Sequence, residues 1–242
     1  MQGAEEGCGW RVNRIVADSA CGPRREKGAL VVFDIDGTLF EADRVTPEAV
    51  RVVFSRYGLS DPGMDAVRRY LGRPVAEYEA WILSLCPPEQ AQNILEETNL
   101  EELSLIRSAG QLYPGVREML DALRDAGHTL AVCSNGPERY VSCFLDAHGV
   151  RPYLSAVRAR DNRPVTKADM AADLLARFPD RRPAFFVGDR QDDMEAARVN
   201  GMVAIGVGWG GFGGKHELAG AAHLLHDPRE LVQVVDEYMS RC

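Results

Sequence analysis

Three short polar segments, each following an apolar run, hold the residue types that could do chemistry in this chain. Asp34-Ile35-Asp36-Gly37-Thr38 follows residues 29–33, Ser134-Asn135-Gly136 follows 129–133, and Gly188-Asp189-Arg190-Gln191-Asp192-Asp193 follows 184–187. Asp, Asn and Gly favour turns for local reasons, which accounts for any one segment taken alone. It accounts poorly for Asp34, Asp36, Asp189, Asp192 and Asp193 gathered at one edge, because crowded carboxylates repel unless a cation sits among them. Hard oxygen donors suit magnesium, which keeps several waters and binds through one or two carboxylates and a substrate phosphate.

Bringing the segments together requires a fold whose strand ends converge. The runs at 29–33, 129–133, 184–187 and 202–207 read as buried parallel strands; 223–225 reads as an edge strand and Val157 as part of another short one. After Pro114, one helical face carries Val116, Met119, Leu120 and Leu123 and stops at Gly127; after Pro137, another carries Tyr140, Val141, Phe144 and Leu145 and stops at Gly149. Proline near the start and glycine just past the end is the expected asymmetry. The alternation predicts an α/β fold built on a doubly wound parallel sheet. Ligands of such sheets bind outside the carboxyl ends of the strands, so the three polar segments should meet in one crevice. The interval 41–113 breaks the rhythm with helical patterns only, at 46–57, 64–71, 76–85 and 88–108, the last with a break. Thr46 reads as a helix cap with Pro47 at the first helical position. The expected organisation is therefore an α/β core from 29–40 and 114–242, with an all-helical insertion at 41–113. Residues 1–28 lack periodicity and the apolar middle of a secretory signal, and read as a disordered extension.

On these motifs the chain resembles the haloacid dehalogenase-like hydrolases, most closely the phosphoglycolate phosphatase-like branch with a helical cap. Asp34 to Thr38 matches the DxDGT nucleophile motif, Ser134 the second motif, Lys167 the lone lysine of the third, and Gly188-Asp189 with Asp193 the GDxxxD fourth. The resemblance spans 29–225 with order and spacing kept. It implies a Rossmann-like core and a magnesium-dependent phosphatase acting on a small phosphorylated metabolite. Asp34 is then the nucleophile that forms an aspartyl-phosphate, and Asp36 the acid and base that moves protons. Thr38 helps aim Asp36. Ser134, Asn135 and nearby backbone N–H groups bind phosphoryl oxygens, and Lys167 adds a fixed positive charge. Magnesium is held by the Asp34 carboxylate, the Asp36 carbonyl and Asp189, with Asp193 orienting Lys167 or a metal water and Asp192 sharing that work. In the insertion, Arg73 of Leu71-Gly72-Arg73-Pro74 is expected to contact the untransferred part of the substrate. Two departures stand out: Arg190 occupies a position where Ser or Thr is frequent, and Phe40-Glu41-Ala42-Asp43-Arg44 lacks the Asp-Ser pair of close phosphoglycolate phosphatases.

Other readings compete. Cys133 and Arg139 fit the Cx5R spacing of cysteine-dependent phosphatases, but Pro137 removes a donor and Glu138 adds a repelling charge. Gly206 to Gly211 formally matches a dinucleotide fingerprint, though its late position favours a glycine-rich loop bordering the site. Within the resemblance, a phosphomutase, a pyrophosphatase and a catalytically idle binding protein remain alternatives. The formal net charge of −8 argues against nucleic-acid or anionic-membrane partners. The six cysteines show no paired spacing, so neither a disulfide framework nor zinc is expected, and a reducing cytoplasm is the expected compartment. Neither the substrate nor the oligomeric state can be read from the sequence.

Overall fold

Phe33 lies level with Val132 on one side and Val187 on the other, and that register decides where the chemistry sits. The computed structural model describes residues 28–161, 165–212 and 216–241. The extension expected at 1–28 lies outside the described residues except for Gly28.

The sheet has strands β1 (Leu30–Phe33), β2 (Thr129–Pro137), β3 (Leu154–Arg160), β4 (Ala184–Gly188), β5 (Val203–Val207) and β6 (His223–Leu225). They are all parallel, in the order β3-β2-β1-β4-β5-β6. Near-continuous apolar runs suit strands covered on both faces. Val31, Phe33, Val132 and Val187 pack with α5 (Val116–Asp125), α6 (Glu138–Ala147) and α9 (Glu230–Met239). Val32, Ala131, Cys133 and Phe186 pack on the other face with α7 (Lys167–Arg177) and α8 (Gln191–Val199). This is the doubly wound sheet expected from the sequence. Strand order reverses at β1, which lies between β2 and β4, so a crevice opens at its carboxyl end. Strand β2 continues past Cys133 with an irregular register up to Pro137, so Ser134 to Gly136 is extended rather than a turn.

Between β1 and α5 the helices are α1 (Thr46–Arg56), α2 (Met64–Arg68), α3 (Val75–Ser84) and α4 (Ala91–Ser108). Val50, Phe54, Tyr78, Ile82 and Ile94 give them an apolar cluster separate from those on the two faces of the sheet. The chain leaves and re-enters the core side by side: Glu41 N donates to Gln111 O at 3.0 Å, and Tyr113 N to Leu39 O at 3.1 Å.

Two expectations are corrected here. The break predicted in 88–108 is absent; α4 starts at Ala91 and runs unbroken, packed against α1 and α6. Its buried Thr98 hydroxyl bonds Ile94 O at 2.8 Å, so the polar residue is satisfied inside the helix. Thr46 does not cap α1 but is its first residue, and its hydroxyl donates instead to Glu102 Oε1 of α4 at 2.6 Å.

Candidate active site

Asp34 extends the ladder of β1, its N–H donating to Val187 O at 2.9 Å, and the chain then folds tightly as Ile35 O accepts from Thr38, Leu39 and Phe40. Gly37 sits at φ +76°, and a Cβ there would lie 2.3 Å from Asp189 Oδ2. Glycine is thus required both by the left-handed backbone and by the close approach of the fourth motif. The glycine-rich loop after β5 borders this turn, as expected: Trp209 Nε1 donates to Thr38 O at 2.9 Å.

Lys167 owes its position to a local signal. Thr166 accepts from Asp169 N in a capping box that starts α7, which places Lys167 at the first helical position. There it is 3% exposed, with Nζ 2.9 Å from Asp34 Oδ1 and 2.6 Å from Asp193 Oδ1. Burial alone would lower its pKa, but Asp193 and Asp34 together raise it above the ordinary lysine value. The other Asp193 oxygen accepts from Arg190 N at 2.9 Å. Asp193 therefore contacts Lys167, as the first of its two expected roles requires.

Asp34, Asp189 and Asp193 offer carboxylate oxygens within 4.8 Å of one another. Both Asp189 oxygens and Asp34 Oδ2 are buried without a hydrogen-bond partner among the described residues. Burial pushes the Asp189 carboxyl well up, and Asp193 and Asp34 add to it. Buried, unpartnered carboxylate oxygens fit a hard divalent cation.

Asp36 turns away from this cluster. Its Oδ1 accepts from Tyr140 Oη at 2.6 Å, and burial raises its carboxyl to about 6 although that hydrogen bond lowers it. Thr38 does not aim it, because the Thr38 hydroxyl is buried with no hydrogen-bond partner among the described residues. Tyr140 is the group that sequence reasoning missed. It lies on the apolar face of α6, and only its place a few residues after Ser134 could have pointed to it.

Ser134 is buried, with its hydroxyl accepting from Gly136 N at 3.0 Å. Asn135 donates to Gly72 O at 3.1 Å and to Asp192 Oδ2 at 3.2 Å, and accepts from Arg160 at 2.5 Å. Asp192 thus accepts from Asn135. Arg190 explains its own departure from Ser or Thr. It donates to Leu71 O at 3.0 and 2.5 Å and to Arg68 O at 3.2 Å, and on the core side to Phe212 O and Glu217. It ties the turn after α2 to the catalytic edge. Arg73 lies in that turn, exposed, 3.6 Å from Glu77 Oε2, and lines a cavity that reaches Asp36.

The cysteine reading fails on burial. Cys133 is fully buried, and burial pushes its thiol up to about 12, so no thiolate nucleophile forms there.

The haloacid dehalogenase-like hydrolase family matches residues 29–201. The phosphoglycolate phosphatase of Synechococcus elongatus is 30% identical over 220 residues, which cover 86% of this chain and 98% of that protein. Among solved structures, a predicted phosphoglycolate phosphatase from Haemophilus somnus superposes with a TM-score of 0.76 at 21% identity, covering 86% of this chain and 98% of the other. CbbY from Rhodobacter sphaeroides, solved in complex with phosphate, gives 0.69 at 22% identity, covering 84% and 95%. On the family match over 29–201 and these relatives, the chain belongs to the haloacid dehalogenase-like hydrolases, in their phosphoglycolate phosphatase-like branch.

Proposed function

We propose that this enzyme hydrolyses a small phosphate monoester with magnesium, through an aspartyl-phosphate on Asp34. The observation that carries the reading is the pairing of buried Asp34 with Lys167 while Asp36, two residues on, faces a separate cavity. Nucleophile and proton carrier thus have separate partners, Lys167 for Asp34 and Tyr140 for Asp36.

An Asp34 oxygen attacks phosphorus and the bond to the leaving oxygen breaks. The leaving oxygen takes the proton from Asp36, whose carboxyl, raised to about 6, keeps that proton to higher pH than an ordinary aspartate does. Asp36 then accepts a proton from the water that attacks the phosphorylated Asp34, releasing phosphate and restoring the carboxylate. Lys167, the Ser134 hydroxyl and the backbone N–H groups beside Asn135 supply donors to the phosphoryl oxygens. Asp34, Asp189 and the Asp36 carbonyl would hold magnesium, which would offset the repulsion between an anionic nucleophile and an anionic ester. Residues 41–113 act as the cap that closes the crevice, and Arg73 contacts the leaving part of the substrate.

Action in the cytoplasm suits the free, buried thiols of Cys86, Cys133 and Cys143. Among the described residues, no helix is long and apolar enough to cross a membrane. The test is phosphate release from p-nitrophenyl phosphate with and without EDTA, in the natural enzyme and in Asp34→Asn. Loss of turnover in both arms is expected. Turnover that survives Asp34→Asn removes the aspartyl mechanism, and turnover indifferent to chelation removes the metal.

A further inference from the structure

The cavity beside Asp36 is built for a particular kind of leaving group, an inference that rests on the phosphatase reading above. It runs from Asp36 and Tyr140 to Thr46, Tyr78 and Glu102 of the helical insertion, with a volume of about 70 Å³. At about 10–15 Å³ for each water-sized centre, it holds roughly five to seven such atoms. Asp34, Asp189 and Asp193 do not line it. Asp36, Asn135 and Gly136 do line it, so it opens beside the phosphoryl position on the side of the proton carrier, where the departing part of the ester lies.

Its polar groups are specific. Tyr78 is 8% exposed, lines the cavity, and has a hydroxyl without a hydrogen-bond partner among the described residues. Leaving a buried hydroxyl unpaired costs about 1–3 kcal/mol, which a ligand group would offset. Glu102 is fixed by the 2.6 Å bond from Thr46, so its carboxyl is a preset acceptor on the cavity wall.

The charges decide between ligand classes. Glu79, Glu102 and Asp36 line the cavity, against Arg73 and Arg139. Arg73 pairs with Glu77 at 3.6 Å, and the charge of Arg139 acts on Glu102. A carboxylate on the leaving group would meet the Glu102 carboxyl, and an ammonium would meet the guanidinium groups of Arg73 and Arg139. A neutral group with hydroxyls meets neither repulsion and can satisfy Tyr78 and Glu102 together.

We propose that the natural substrate is the phosphate ester of a short polyol or small sugar, whose hydroxyls bond Glu102 and Tyr78, with Thr46 positioning Glu102. Burial holds the Glu102 carboxyl up to about 7, and a hydroxyl donor stabilises its ionised form.

The experiment measures kcat/KM for glycerol 1-phosphate, 2-phosphoglycolate and p-nitrophenyl phosphate with magnesium, in the natural enzyme, Glu102→Gln and Tyr78→Phe. The natural enzyme should prefer glycerol 1-phosphate to phosphoglycolate by about tenfold or more, the size of one hydrogen bond to a charged group. Glu102→Gln should lower glycerol 1-phosphate turnover by roughly tenfold to hundredfold, leave phosphoglycolate unchanged or improved, and change p-nitrophenyl phosphate by less than about threefold. Tyr78→Phe should follow the same pattern more weakly. A natural preference for phosphoglycolate, or an equal fall for all three esters in Glu102→Gln, overturns the proposal. Should no ester be turned over, the phosphatase reading itself fails, and calorimetric titration of Asp34→Asn with magnesium then decides the subsite. Tighter binding of glycerol 1-phosphate than of phosphoglycolate, weakened by a second Glu102→Gln change, supports it, and the reverse order overturns it.

Discussion

Truncating Arg190 to alanine should uncouple the helical insertion from the catalytic edge. Its side chain is 4% exposed, and its fork of donors reaches Leu71 O and Arg68 O on the insertion while also holding Phe212 O and Glu217 on the core. The contacts to the insertion share two carbonyls, so they count as about one net hydrogen bond from a charged donor, about 1.5–3 kcal/mol. If closure of the insertion over the crevice depends on them, kcat/KM falls by roughly tenfold to 150-fold for an ester whose leaving group fills the cavity beside Asp36. The assay is steady-state kinetics at saturating magnesium, alongside amide hydrogen exchange over residues 68–73. The expected result is a large kinetic loss with faster exchange in that turn. Arg190→Lys keeps the charge but not the planar fork, and should recover only a minor part of the loss. Natural kcat/KM together with unchanged exchange in Arg190→Ala would refute the reasoning.

Four further outcomes follow from the geometry. Lys167→Met leaves Asp34 and Asp193 buried without their counter-charge and should destabilise the protein by about 3–5 kcal/mol, read from urea unfolding in EDTA; a loss under about 1 kcal/mol would show that the ion pairs are not structural. For an alkyl phosphate, kcat/KM should decline as pH rises through about 6, where Asp36 loses the proton that it must give. Tyr140→Phe removes a donor to the ionised form, so this limb should move to higher pH by about one to two units; a limb that stays put, or moves lower, counts against Tyr140 as a positioning residue. Cys133→Ser should keep most phosphatase activity, because its thiol stays protonated, and an inactive, folded variant would reopen the cysteine reading.

How far the sequence reached depended on the distance over which each feature is encoded. The parallel strands were legible because burial on both faces demands unbroken apolar runs, and the polar residues that end them are local to each run. The placement of Lys167 was also local in origin: the capping box of Thr166 and Asp169 spans a single helical turn. Asp193 is likewise one helical turn from Asp189, and its close approach demands glycine at 188, where a Cβ would lie 2.2 Å from the Asp193 carboxyl carbon. The strand-end positions alone brought Asp34 and the acidic cluster together, whereas Lys167 was placed beside them by the family resemblance.

Tertiary packing decided the rest. Tyr140 meets Asp36 across 104 positions of sequence, Thr46 meets Glu102 across 56, and Arg190 meets Leu71 across 119. No periodicity relates such pairs. Tyr140 occupies an apolar helical face and carries the pattern of a core residue, and Thr46 beside Pro47 carries the pattern of a cap. Which hydroxyl or guanidinium finds which acceptor depends on how α1 and α4 pack and on where the insertion rests on the sheet edge. The sequence determined the reacting groups, because they sit at strand ends and helix starts with short-range signatures. Only the folded chain determined what aims Asp36, what holds the insertion in place and what the cavity will accept, because those contacts exist only once separate elements have packed together.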